Sequence, residues 1–266
     1  MARRRPNRSN PVAAGALLAL GLGWALIQAG CASTPPAPQP VSPDAAAAHA
    51  LLERRWEGFR DLRSLAEITV RRGDRVERLA GVLLLRAPAS LRLEALSPFG
   101  TPVLVVAGDA RALTVWEVLG ERAYLFPASP DATRRWLGLA LGPDELVAIL
   151  SGHVLPIKDP LAVELQAADE MGPSLALRGA EAAQRIWFDP ASGRARAAEW
   201  TGGANPARVV FADGATDSAP AGVTLTTPDG KLQVVVKYRA PRINIGFDAE
   251  LLKLAVPERV RIQDFR

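Results

Sequence analysis

Between residues 65 and 126 the chain falls into six short strand-like runs, at 65–72, 76–87, 91–96, 102–107, 113–118 and 123–126. Several are only four or five residues apart. A parallel pair needs a crossover of a dozen residues or more, so such spacing requires antiparallel pairing through hairpins. In the third run Leu91, Leu93 and Ala95 alternate with Arg92 and Glu94, which gives one apolar face and one wet face. Six further runs, at 185–189, 194–200, 208–211, 223–227, 231–238 and 259–262, bring the expectation to roughly a dozen strands. The first two of these flank the turn Pro190-Ala191-Ser192-Gly193.

Two helical segments punctuate this pattern. From Asp44 an alanine-rich stretch leads to Leu52, Trp56, Phe59 and Leu62, spaced to share one helical face. In mid-chain, Asp131 is expected to cap a short helix carrying Trp136, Leu137 and Leu139. Gly142-Pro143 breaks it, and a second helix runs through Leu146, Ile149 and Leu150 to Gly152. The expected class is α+β and mostly antiparallel β.

With 48% hydrophobic and 23% charged residues in 266, the chain is globular in composition. Its formal net charge of +4 invites a nucleic-acid reading, but Arg3, Arg4, Arg5 and Arg8 account for the whole excess. These arginines open a leader, residues 1–30, in which 12–29 is apolar apart from small residues and Gln28, and which contains no acidic residue. That is the pattern of a bacterial secretory signal. Once it is removed, basic and acidic side chains balance, and the case for a nucleic-acid partner lapses.

The single cysteine, Cys31, stands directly after the leader, in Ile27-Gln28-Ala29-Gly30-Cys31. This run resembles the lipobox of bacterial lipoproteins, whose cysteine is lipidated and becomes the mature N-terminus. Cleavage nearby with a free thiol, or an uncleaved signal anchor, are the alternatives. Residues 31–43 hold Pro35, Pro36, Pro38, Pro40 and Pro43. At about 3.1 Å per residue this tether could hold a domain, residues 44–266, roughly 35 Å from a bilayer. Ala32, in place of the Asp that retains such proteins in the inner membrane, favours the outer membrane by the same resemblance.

Little in the chain suggests catalysis, a cofactor or a metal. One cysteine and two histidines exclude a Cys/His zinc cluster and an internal disulfide. The glycine pairs lack the Lys-Ser/Thr ending and strand-to-helix setting of a phosphate loop. Ser151 and His153 are close in sequence, but without a nucleophile elbow or an orienting acid they are not read as catalytic. Asp144-Glu145 and the pair Glu57/Asp61 are read as ordinary helix acids, and His49 as solvated. The expectation is a protein that is not an enzyme.

The segment 91–100, LRLEALSPFG, is more telling. Its strand ends in Ser97-Pro98-Phe99-Gly100, with proline and glycine at the second and fourth turn positions and Phe99 at the tip. Phe99 is either exposed there or folded back on the sheet.

Taken together, the lipobox, the helix before the first strand, the LRLEALSPFGT strand-turn and the helical pair ending at Ile149-Leu150-Ser151-Gly152 resemble the LolA/LolB family of lipoprotein-localisation factors, LolB more than LolA. The strands at 220–227 and 231–238 resemble its closing hairpin, whereas residues 247–266 extend beyond the LolB pattern. The resemblance implies an incomplete, half-open β-barrel of about 11–12 strands, with an N-terminal helix and a mid-chain helical lid. It implies an outer-membrane lipoprotein that holds acyl chains in an apolar groove and helps to receive or insert lipoproteins. Its partners would be the bilayer, acylated lipoproteins or lipid acyl chains, and a periplasmic LolA-like carrier. Pro98, Phe99 and Gly100 would form the membrane-insertion loop. Groove candidates are Val82, Leu84, Leu91, Leu93, Leu104, Val106 and Trp116, with Trp136, Leu137, Leu146 and Leu150 in the lid, although apolar periodicity suits a plain core equally well. A non-transporting scaffold lipoprotein of the same fold is the alternative.

Overall fold

The computed structural model describes residues 41–203, 206–214 and 219–266, without the side chains of Trp136 and Leu137. The leader, Cys31 and the tether up to residue 40 lie outside the described residues, as do those two lid side chains.

Helix α1 (Pro43–Glu57) begins where Ser42 Oγ accepts the Ala45 N–H at 3.2 Å, with proline in the first turn. It stops at Gly58, so Phe59 and Leu62 do not share its face; Phe59 follows the helix and Leu62 stands in the first strand. One meander follows: β1 (Asp61–Arg72), β2 (Arg75–Arg86), β3 (Ser90–Leu96), β4 (Pro102–Gly108), β5 (Ala112–Glu117) and β6 (Arg122–Pro127). Helices α2 (Pro130–Leu137) and α3 (Pro143–Leu150) separate it from a second: β7 (Ala162–Asp169), β8 (Gly172–Arg178), β9 (Ala182–Phe188), β10 (Ala195–Gly202), β11 (Ala207–Ala212), β12 (Gly222–Thr226) and β13 (Leu232–Ile243). A 3-10 turn (Ala249–Leu252) and β14 (Arg261–Asp264) end the chain.

Pairing of β13 with β1 joins the meanders into a single 14-stranded sheet, ordered β14-β6-β5-β4-β3-β2-β1-β13-β12-β11-β10-β9-β8-β7. Neighbours are antiparallel, except β14, which runs parallel to β6. The sheet is open, with β14 and β7 as its edges, and does not close into a barrel. It has more strands than the expected dozen because β7 and β8 carry no clear strand signal. AVELQAAD in β7 is built of residues that also favour helix, and as an edge strand it shows no clean alternation of burial. Pro241 in β13 sits at a bulge, where Arg63 and Leu65 of β1 oppose Arg242 and Arg239 and the Ser64 hydroxyl donates to the Arg239 carbonyl at 3.2 Å.

The caps of the helical pair also differ from expectation. Ser129, not Asp131, caps α2 by accepting the Ala132 N–H at 3.3 Å. The helix ends at Gly138 with φ 80°, which leaves Leu139 beyond it. The buried Thr133 hydroxyl bonds the Leu141 carbonyl at 2.6 Å and folds the connection back into α3.

Cross-strand partners lie on the same face, so the register sorts every strand residue to one of two sides. The face carrying the helices, here the inner face, holds Leu62, Leu85, Leu175, Ile186 and Val209, all fully buried in the main core. Helix α1 packs on β7 and β8, and α3 packs on β2 and β3.

Candidate functional site

The inner face is covered unevenly. Toward the start of β1, Leu62, Leu85 and Leu91 are sealed beneath helices, and α3 itself buries Val147, Ala148 and Ile149. The Tyr238 hydroxyl ties α3 to the centre of the sheet by donating to the Leu150 carbonyl at 2.6 Å, and burial pushes its pKa above the ordinary value. Toward the β1–β2 turn, Val70, Leu79, Leu93, Leu104, Val106 and Val234 are only half-buried.

Of the groove candidates, Leu91, Leu93, Leu104 and Val106 stand on this inner face, through the pairs Leu85↔Leu91, Leu83↔Leu93, Leu93↔Val106 and Ala95↔Leu104. Leu146 and Leu150 of α3 pack against the same cluster as Leu93 and Val106. Val82, Leu84 and Trp116 do not join them. Val82 pairs with Glu94, Leu84 with Arg92 and Trp116 with Val105, which puts all three on the opposite, outer face. A strand of uniformly apolar residues does not reveal in its sequence which alternate set points inward.

The outer face of the first meander has its own cover, the segment 244–266. After β13 it crosses β2, where Arg86 donates to the Phe247 carbonyl and lies over the Phe247 ring at 4.8 Å. It then passes β3, where Arg92 donates to the Lys253 carbonyl, and docks at the far edge as β14. Val260 is buried, and past that edge Phe265 reaches the inner face, where it stacks on Phe126 with ring centres 5.0 Å apart. The extension beyond the LolB pattern is thus a strap.

At the β3–β4 turn, Phe99 is 92% exposed and does not fold back on the sheet. The turn that presents it is firmly stapled. Ser97 Oγ accepts the Phe99 and Thr101 amides and meets Thr101 Oγ1 at 2.7 Å, while Gly100 N–H donates to the Ser97 carbonyl at 2.9 Å. Gly100 takes φ 80°, a conformation costly for other residues. Pro98 and Gly100 therefore hold the aromatic ring in water. Sequence reasoning passed over a second exposed tip, Leu119 in the β5–β6 turn, at 83%. Its place between two strand runs, beside Gly120, was the available signal.

Ser151 and His153 do come together, with Oγ and Nδ1 3.0 Å apart, but both are buried. Desolvation, with a smaller contribution from the Arg55 charge, lowers the His153 pKa to about 4, so the imidazole is neutral at physiological pH. Its ring packs against Trp56 and Phe59, with centres 5.6 and 5.2 Å away. A cleft of about 550 Å³ borders it, lined by Leu51, Arg54, Arg55, Phe59 and Asn244 among others. The acids read as helix acids have structural tasks, although Asp61 stands in β1 and not on a helix. Glu145 accepts the Gly142 N–H at 2.7 Å, although burial raises its pKa, and Asp61 accepts the Gly246 N–H at 3.2 Å. His49 is half-buried, 3.4 Å from Glu53.

No protein-family profile and no curated protein sequence matches the chain. Solved structures do. A domain classed with outer-membrane lipoprotein-sorting proteins, from Vibrio parahaemolyticus, superposes with a TM-score of 0.55 at 12% identity over 78% of this chain and 97% of its own. A LolA-superfamily protein from Nitrosomonas europaea gives 0.52 at 10% identity over 78% and 97%. A DUF1329-family protein from Desulfovibrio piger gives 0.54 at 11% identity over 79% and 97%. The fold is LolA-like.

Proposed function

We propose that this protein is an outer-membrane-anchored lipoprotein, held by lipid on Cys31, that binds acyl chains on the inner face of its open sheet and helps receive lipoproteins and insert them into the bilayer. The observation that carries the reading is Phe99, fully exposed on a stapled turn at the end of strands whose inner face keeps half-buried apolar residues. An acyl chain gains about 0.8 kcal/mol for each methylene taken out of water. The half-buried face of Leu79, Leu93, Leu104 and Val106 offers partial cover, with α2 and α3 as lid, whereas a bilayer covers the whole chain. Handover to lipid is then downhill without nucleotide, metal or catalysis, and Phe99 entering the headgroup region lowers the barrier to it. A periplasmic LolA-like carrier is the proposed donor. The LolA-like fold supports the reading, since one of the matched structures is classed with lipoprotein-sorting proteins.

In cells depleted of the native protein, the wild-type chain is expected to restore lipoprotein insertion and Phe99→Glu to fail at equal folded abundance. Unchanged insertion by Phe99→Glu overturns the role of the loop. The scaffold alternative draws support from the tight packing of α1 and α3 on much of the inner face. Acylated peptides co-purifying with the chain favour the carrier, and a stable protein partner without them favours the scaffold.

A further inference from the structure

We propose that Leu119 is a second membrane finger beside Phe99, and that these two tips and the arginines of the β1–β2 hairpin form one surface that docks on an anionic phospholipid bilayer. The inference rests on the membrane role of Phe99 proposed above and adds a residue, a charge requirement and a lipid class to it.

The register brings the tips together. Ala80 pairs with Leu96 and Leu104 with Glu117, so the β1–β2, β3–β4 and β5–β6 turns all emerge at the same end of the sheet. The Val118 N–H donates to the Val103 carbonyl at 3.1 Å, which starts the Leu119 turn one residue from Pro102, where the Phe99 turn ends. At the usual strand spacing, hairpin tips two strands apart are roughly 10 Å from one another. Phe99 and Leu119 are also singular in exposure. At 92% and 83% they stand well clear of the other large exposed apolar residues described, none of which exceeds 54%. A turn tip gains no folding energy from an exposed phenylalanine or leucine, and two at one end are what an amphipathic docking surface requires.

Charge points to the lipid class. The β1–β2 hairpin carries Arg71, Arg72, Arg75 and Arg78 on exposed positions, against Asp74 and Glu77. Around Leu119 the charges are matched within the protein instead, by Arg122 with Glu117 and Arg259 with Glu121. The apolar fingers thus have an electrically balanced base, and the basic excess lies on the neighbouring hairpin, where anionic headgroups attract it.

The test uses the full chain with Cys31→Ser, so that an introduced cysteine is its only thiol. Phe99→Cys, Leu119→Cys and Ala191→Cys, the last in the turn at the opposite end of the sheet, are labelled with an environment-sensitive fluorophore. Vesicles are of phosphatidylethanolamine with phosphatidylglycerol, or of phosphatidylcholine alone, each with a nitroxide-bearing lipid. The expected result is a blue shift and severalfold nitroxide quenching at 99 and 119 on anionic vesicles, none at 191, and loss of both signals on adding Arg71→Glu with Arg75→Glu. Quenching at 99 but not 119 overturns the second finger and leaves the Phe99 reading standing. Quenching at neither overturns both. Equal quenching on the two vesicle types, or no effect of the charge reversals, overturns the anionic docking surface.

Discussion

The buried His153 makes acid stability a direct test of how the α3 end of the inner face is built. Its pKa falls from 6.5 to about 4, first because burial disfavours the imidazolium and then because Arg55 repels it, against a smaller opposing hydrogen bond donated to the Ser151 backbone. Above pH 6.5 the ring is neutral in both the folded and unfolded chain, and its contribution is fully retained. Below that, the unfolded chain takes up a proton that the folded chain refuses, so stability falls until the folded pKa is reached. At about 1.4 kcal/mol for each pH unit separating the folded from the unfolded pKa, the loss between those limits is about 3 kcal/mol. His153→Asn keeps a polar atom near Nδ1 for Ser151 but cannot titrate. Urea unfolding followed by tryptophan fluorescence, from pH 7 to pH 4.5, should show the gap between the two proteins changing in favour of the variant as the pH drops. Glu145, whose raised pKa gives an opposite trend, is common to both proteins and cancels from the difference. Parallel pH profiles would refute the reasoning, because they would mean that the folded chain binds the proton as readily as the unfolded one.

Tyr238→Phe removes the bond that joins α3 to the central strand and leaves the Leu150 carbonyl without that donor; a cost of about 1–2 kcal/mol in urea unfolding is expected, and no change would show the bond to be idle. Truncation after Asn244 takes away the strap while keeping the Asn244 contacts with Gly58 and Arg60. It should uncover the outer face around Leu84, Val105 and Trp116, raising binding of a hydrophobic dye and lowering the melting temperature, and an unaltered dye signal would show that the strap does not shield that face.

Local signals were legible without the fold. The Ser97-Pro98-Phe99-Gly100 turn, the break at Gly142-Pro143 and the hairpin at residues 190–193 depend on backbone preferences of a few neighbouring residues, which act wherever the segment ends up. Strands β7 and β8 were not legible, since the residues of β7 suit helix as well, β8 opens on Gly172 and Pro173, and pairing with β9 and the cover of α1 make them strands.

By itself the sequence determined that this is an antiparallel, hairpin-built chain, because short strands joined by tight turns have few other ways to satisfy their backbone. Tertiary structure alone decided which apolar residues share a face. Period-two alternation defines two sides of a strand but does not say which one is inward, and Val82, Leu84 and Trp116 went to the side away from Leu93. It also decided that residues 244–266 close over that side, a contact between segments more than a hundred residues apart that no local preference encodes. Phe99 and Leu119 became neighbours for the same reason: adjacent hairpins in one sheet bring together tips that the sequence merely spaces apart.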